Sequence, residues 1–259
     1  VVDAYSGKVT LYLMDTKDPI ARMWKSAFPD LFTSKKEVPA TLAAHFRYPE
    51  DLFRVQTNIF GRYQFDDATL FFNRDAAWSV AQAPANAPET GGTGGLVGTT
   101  ATGIAPVDSI NATDSSVERF SPYFSIFHEP NAKTDIGQFS MVRPFVPFSA
   151  DDSRKELRSM MVVSSEPKTY GKMTVYDIKA PLPAGPATVS AQFESEPAIS
   201  QTITPLDQRG SRVTYGDLQL VPVGKRLVYI RPMFVQADGN DKQVFVCKIL
   251  AGYGDRSVI

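Results

Sequence analysis

Up to Trp78 the apolar residues recur about every 3.6 positions, and from Phe120 onward they alternate with a period of about two. Between them lies Ala83 to Ser116, rich in Gly, Ala, Thr, Pro and Ser and centred on Gly91-Gly92-Thr93-Gly94-Gly95, where neither period survives. The order of these regimes predicts an α+β fold: an N-terminal hairpin and helices, then a mainly antiparallel β region. The chain reads as one domain in three parts: a hairpin plus helical part (1–82), a flexible loop (83–117) and a mainly β part (118–259).

In the first part, Val1 to Tyr5 and Lys8 to Met14 flank Ser6-Gly7 and read as a β-hairpin. Asp18-Pro19 supplies a helix cap and a first helical residue, and Ile20, Met23, Trp24, Ala27 and Phe28 then form a stripe expected to be buried. Pro39 to Phe46 reads as a short second helix. Pro49 opens a third, with Glu50 and Asp51 in its first turn and an inner face of Leu52, Val55, Gln56, Ile59 and Tyr63. Asp66 is expected to cap a last short turn through Phe72. In the β part, strands are expected at 123–128, 138–142, 157–164, 172–178, 212–220, 226–236 and 243–252, with a helical segment after Gly185-Pro186 and another turn from Pro197.

Composition bounds the chemistry. Aromatic content is high, with 17 Phe and 10 Tyr, so the chain can build a core, and a net charge of −1 without a basic run gives no nucleic-acid footprint. Cys247 is the one cysteine, so no internal disulfide forms; with His45 and His128 it cannot supply a closed Cys/His zinc site. No metal site and no cofactor are expected. The longest apolar runs, such as Met160–Val163 and Leu227–Ile230, have strand length, far short of the roughly 20 residues of a membrane helix. The chain opens at Val1 without an initiator Met, which reads as a fragment or processed product of a longer protein.

Several constellations invite functional readings. Gly91 to Gly95 lacks the preceding strand and following helix of a phosphate loop, and reads as a linker. His45 and Arg47 stand beside Glu50 and Asp51, where a His near carboxylates could act as a general base; the alternative is a helix start with its ordinary first-turn acids. Asp238, Asn240 and Asp241 lack the later Glu of a calcium loop and read as a turn, and the pairs Asp66-Asp67 and Asp151-Asp152 read as helix caps. The aromatic block Phe120, Tyr123, Phe124, Phe127, Phe139, Phe145 and Phe148 could line a groove for a lipid or sugar, or form the core of strands buried on both faces. Tyr123, Phe124 and Phe127, with His45 and Arg47, are therefore the candidate ligand-binding residues. No Gly-x-Ser-x-Gly elbow is present, so no catalytic residue is assigned.

Blocks spread along the chain carry a family resemblance. Val2-Asp3-Ala4-Tyr5-Ser6-Gly7-Lys8-Val9-Thr10-Leu11-Tyr12 and Arg47-Tyr48-Pro49-Glu50-Asp51-Leu52-Phe53-Arg54-Val55-Gln56 come first. Tyr170-Gly171-Lys172-Met173, Tyr215-Gly216-Asp217-Leu218, Pro222-Val223-Gly224 and Tyr253-Gly254-Asp255 follow in order. Together they resemble the uncharacterised protein family 0182, found chiefly in actinobacteria. The resemblance implies a multi-pass membrane protein of the cell envelope, whose large soluble domain on the extracytoplasmic (extracellular) side this chain would be. It implies as partners the protein's own N-terminal transmembrane region and an envelope lipid, glycan or protein, and it implies no reaction. The chain departs from the pattern in the insert around Gly91 to Gly103 and at Arg231, where an acidic residue is more usual. Three function classes follow: a binding domain for an envelope component or partner, an envelope-acting enzyme with a dispersed carboxylate site, and a structural cap on its own membrane helices.

Overall fold

The structure, a computed structural model, describes residues 1–74, 76–85, 117–130, 136–208, 210–224, 226–237 and 244–259. It is α+β and divides into two compact units, Val1–Arg47 and Tyr48–Ile259. The reading of 83–117 as a flexible loop and of Asp238 to Asp241 as a turn falls almost wholly outside the described residues.

In the first unit the expected hairpin is reduced to a single antiparallel bridge, Val2↔Val9, around a turn in which the Asp3 carboxylate accepts the Tyr5 and Ser6 amides. The second arm pairs elsewhere: β1 (Leu11–Leu13) runs parallel to β2 (Phe32–Ser34), a strand that propensity did not mark. Helix α1 (Pro19–Ala27) starts as expected, with Asp18 accepting the Ala21 amide at 2.8 Å. Its stripe is not buried, however. Ile20, Met23, Trp24 and Phe28 are all exposed, with Trp24 and Phe28 stacked at 5.7 Å. A unit of this size with one short sheet has too few elements to cover a helix face, and Leu13 is its one buried residue. Helix α2 (Ala40–Ala43) completes it.

The second unit begins with α3 (Glu50–Tyr63) and α4 (Ala68–Asn73), the latter capped by Asp67 rather than Asp66. The face that α3 buries carries Phe53, Thr57, Asn58 and Gly61, not the expected Leu52, Ile59 and Tyr63, which are exposed. Hydropathy selects the wrong face because contact with the sheet is made by small and polar groups. A Cβ on Gly61 would lie 2.6 Å from the Trp78 carbonyl oxygen, and the Thr57 hydroxyl donates to its own helix at Phe53 O.

Two antiparallel sheets follow. In the first, β3 (Trp78–Val80) and β4 (Tyr123–Phe127) pair along one edge of β5 (Gln138–Pro147), which pairs with β6 (Ser159–Ser164) and that with β7 (Met173–Asp177). Every residue of β6 is buried, as expected of a strand covered on both faces. Arg143 and Phe145 of β5 meet α3, while Tyr123, in register with Val142, reaches Leu220 of the second sheet. The second sheet runs β12 (Arg256–Val258), β11 (Val244–Tyr253), β10 (Arg226–Ala237), β8 (Ser211–Tyr215), with β9 (Gln219–Val223) also on β10. The single strand expected at 212–220 is thus two, broken around Gly216, whose absent side chain admits Pro232. Helix α5 (Pro186–Ser195) packs on this sheet where Gly252 leaves room for Phe193, and α6 (Pro197–Ile203) follows.

One clasp fixes the chain on either side of Asn86 to Ser116. Gln82 and Arg119 form an antiparallel bridge, the Ala83 amide donates to Glu118 O at 2.9 Å, and the Phe120 amide donates to Ala81 O at 2.8 Å. Beneath it, the buried Arg119 guanidinium meets the Asp152 carboxylate through two hydrogen bonds, of 2.9 and 2.5 Å. Asp151 and Asp152 therefore cap no helix: Asp151 closes a turn onto Ser153, and Asp152 adopts φ 56° to face Arg119. Because the closest approach at Gly61 is to backbone, Gly61→Val is expected to destabilise by about 1–3 kcal/mol, since the overpacked helix must lift from β3. Denaturant melts compared with the parent chain check this.

Candidate functional site

The five residues singled out from the sequence are divided between the two units. His45 and Arg47 are exposed side chains of the first unit. Glu50 and Asp51 occupy the first turn of α3, the alternative reading of that cluster. Tyr123 and Phe127 are buried in the second unit's core, Tyr123 against Phe120 and Phe127 against Tyr176. Their burial has a geometric cause: Tyr123 turns its hydroxyl to the Leu220 amide at 2.7 Å, which ties the two sheets together, and burial drives its pKa up. Phe124 projects from the other face, stacked on Phe139 at 5.2 Å, and Ile126 beyond it is exposed. The strand is therefore covered fully on one face only, not on both as its apolar composition suggested.

What the fold does bring together is a polar seam that hydropathy could not mark. Arg143 is 0% exposed; its guanidinium donates to Phe120 O at 2.9 Å, the Thr57 hydroxyl at 2.8 Å and Asn58 Oδ1 at 3.1 Å. Arg231 is 1% exposed and donates to the Ser190 hydroxyl at 2.8 Å, Ala85 O at 2.9 Å and Gly216 O at 3.3 Å. Its guanidinium lies 4.5 Å from the Tyr215 ring centroid, a cation–π contact. Burial lowers its pKa, opposed by Tyr215, Glu194 and Asp217. The arginine at the position where an acidic residue was expected is thus held inside the fold. Arg54, on α3, bridges Glu50 at 2.8 Å and Ser121 at 3.1 Å.

Asp217 sits in the turn between β8 and β9 and keeps contact with solvent, yet its carboxyl is held above the usual range. Partial desolvation is the larger cause, Glu50 adds to it, and Arg231 offsets it. The surroundings of Asp217 and Arg231 cannot be read from one sequence, because their neighbours come from α3, α5 and β10. Among the described residues no group of three or more His, Cys, Asp or Glu could hold a metal ion, and no helix is long and apolar enough to cross a membrane.

Two outcomes are expected. Tyr123→Phe leaves the Leu220 amide without its acceptor in a buried place, and should cost about 1–3 kcal/mol in a denaturant melt. For Asp217 the folded pKa lies above the unfolded value of 3.8, so the folded state holds its proton more tightly. The stability that this proton contributes is complete below 3.8 and is lost as pH rises through the folded pKa. Asp217→Asn should therefore become more stable than the parent as pH rises through that window, with a constant gap above it. Melts across a pH series read this directly.

Residues 1–206 match the Uncharacterised protein family (UPF0182). A UPF0182 protein of Trichodesmium erythraeum is 31% identical over 260 residues, which span 100% of this chain and 22% of that protein. One from Methanospirillum hungatei is 30% identical over 257 residues, 99% of this chain and 25% of its own. One from Thermobifida fusca is 32% identical over 262 residues, 100% and 22% respectively. This chain thus spans about a quarter or less of the length of these relatives, which come from bacteria and archaea alike, a wider range than the actinobacterial one expected. No solved structure matches. By the extent of the match and its identity over the full length of the relatives' common segment, the chain belongs to UPF0182, an uncharacterised protein family.

Proposed function

We propose that this chain is the extracytoplasmic domain of a longer, membrane-anchored member of its family, and that it works by binding a cell-envelope component. The observation that carries the binding role is an aromatic surface on α3 and α4. Tyr63 and Phe71 stack at 5.5 Å in the open, Phe72 is 85% exposed, and Leu52 and Ile59 continue the apolar surface along α3. Arg62 lies 5.9 Å from the Tyr63 ring centroid and adds positive charge beside it. Exposed rings with a neighbouring guanidinium suit a lipid acyl chain under an anionic headgroup, or the apolar face of a sugar. This surface, not the buried Tyr123 and Phe127, is the binding candidate.

A second reading, an envelope-acting enzyme with a dispersed carboxylate site, draws on Asp217 and Glu50. One experiment separates the two. The purified chain is mixed with anionic phospholipid vesicles and, separately, with soluble envelope glycans, and both binding and product formation are followed. Saturable binding without turnover is expected, weakened at least about tenfold by the pair Phe71→Ala and Phe72→Ala. Both side chains are exposed, so the paired variant should melt like the parent. Turnover abolished by Asp217→Asn or Glu50→Gln overturns the binding reading in favour of the enzyme.

A further inference from the structure

Among the described residues the end of the second sheet is the place where a strand is apolar on both faces and covered on neither. From Val244 to Ile249 every residue of β11 is exposed, and Lys248 is the single charge. Register with β10 sorts the side chains: Val244, Val246 and Ile249 share a face with Gln236, Phe234 and Pro232, while Phe245 shares the opposite face with Val235. Cys247 is the extra residue where the register shifts between Met233 and Phe234. Strands apolar on both sides belong to sheets covered on both sides. The edge is open too: β12 pairs only with Ala251, Gly252 and Tyr253, so among the described residues no strand pairs with the far edge of Val244 to Leu250. Apart from the bulge and the one lysine, this edge has none of the devices that keep native edges from pairing.

We infer that this β10–β11 arm is a docking element, covered in the complete protein by an acidic and apolar surface from the rest of the same polypeptide. Two observations select that occupant. The relatives align over 99–100% of this chain, arm included, while the chain is only 22–25% of their length, so most of each polypeptide is available to cover it. The larger face of the sheet has a one-signed rim. Arg212, opposite Gln236, Arg256, opposite Tyr253, and Arg226, 5.3 Å from the Tyr253 ring, lie on the same side as Val246 and Ile249, and no carboxylate shares that side among the described strand residues. Two copies stacked through this face would set arginine against arginine, whereas an acidic rim around an apolar centre complements it. The inference is independent of the binding role of α3 and α4.

Cys247, the chain's one cysteine, is exposed on the arm and serves as a reporter. Its rate of maleimide labelling, read by mass spectrometry of the peptide that contains it, is compared between the 259-residue chain and the complete polypeptide carrying it. Labelling at least about tenfold slower in the complete polypeptide is expected, restored by Ile249→Arg, which sets a charge into the covered face without disturbing the isolated chain. Equal rates in the two overturn the inference. So does protection of the isolated chain that grows with its concentration, which means a second copy, and so does protection that needs added vesicles, which means a lipid surface.

Discussion

The placement of the buried Arg143 guanidinium governs how α3 lies on the first sheet. A charge this deep is tolerated only when its donors are satisfied, and it takes Phe120 O, the Thr57 hydroxyl, Asn58 Oδ1 and Arg54 O at 3.2 Å or less. These acceptors lie on α3 and at the entrance to β4, so one side chain from β5 orients a helix and a strand entry together. The helix then turns Thr57, Asn58 and Gly61 inward beside Phe53, and Leu52, Ile59 and Tyr63 are left outside. The exposed surface of Leu52, Ile59 and Tyr63 is thus a consequence of how the interior is satisfied.

That chain of causes explains what was legible in the sequence. The change of period located the helical and the strand-rich parts, and β4, β6 and β7 fall where alternation put them, because their core is ordinary apolar packing, whereas β5 runs on past the expected end at Val142, through the buried Arg143, to Pro147. Caps were legible as well: Asp18 accepts the amide it was expected to accept. The misjudged faces share one cause, which is that an apolar stripe reveals a face and not what covers it. The stripe of α1 and the expected inner face of α3 are both exposed, and Phe124 and Ile126 of β4 are less covered than their composition suggests. The candidate site was least legible of all. Asp217 owes its raised pKa first to partial desolvation by the fold and then to Glu50, far away in sequence, and no local pattern announces either.

Exposed apolar side chains therefore carry more information here than buried polar ones. A chain that satisfies the buried guanidinium groups of Arg143 and Arg231 so fully has no need to leave Phe72, Ile249 and Trp24 in water on stability grounds. Their exposure is what the proposed binding and docking roles would use, in a chain that covers 22% and 25% of the length of two relatives.

The clasp at Gln82 and Arg119 bears on how the family can vary without losing the fold. Entropy of loop closure grows only with the logarithm of length, so doubling an insertion costs about 0.6 kcal/mol once its two ends are held. Here the ends are held by backbone bonds at Ala83 and Phe120 and by a buried, doubly hydrogen-bonded ion pair that recruits Asp152 from a separate turn. Arg231 and Ser190 also reach Ala85 O, so the anchoring extends to the second sheet and α5. Residues between Ala85 and Val117 can therefore change in number while the strands on either side keep their register. Arg231 thereby links the anchor at Ala85 to the neighbourhood of Asp217, whose raised pKa it offsets.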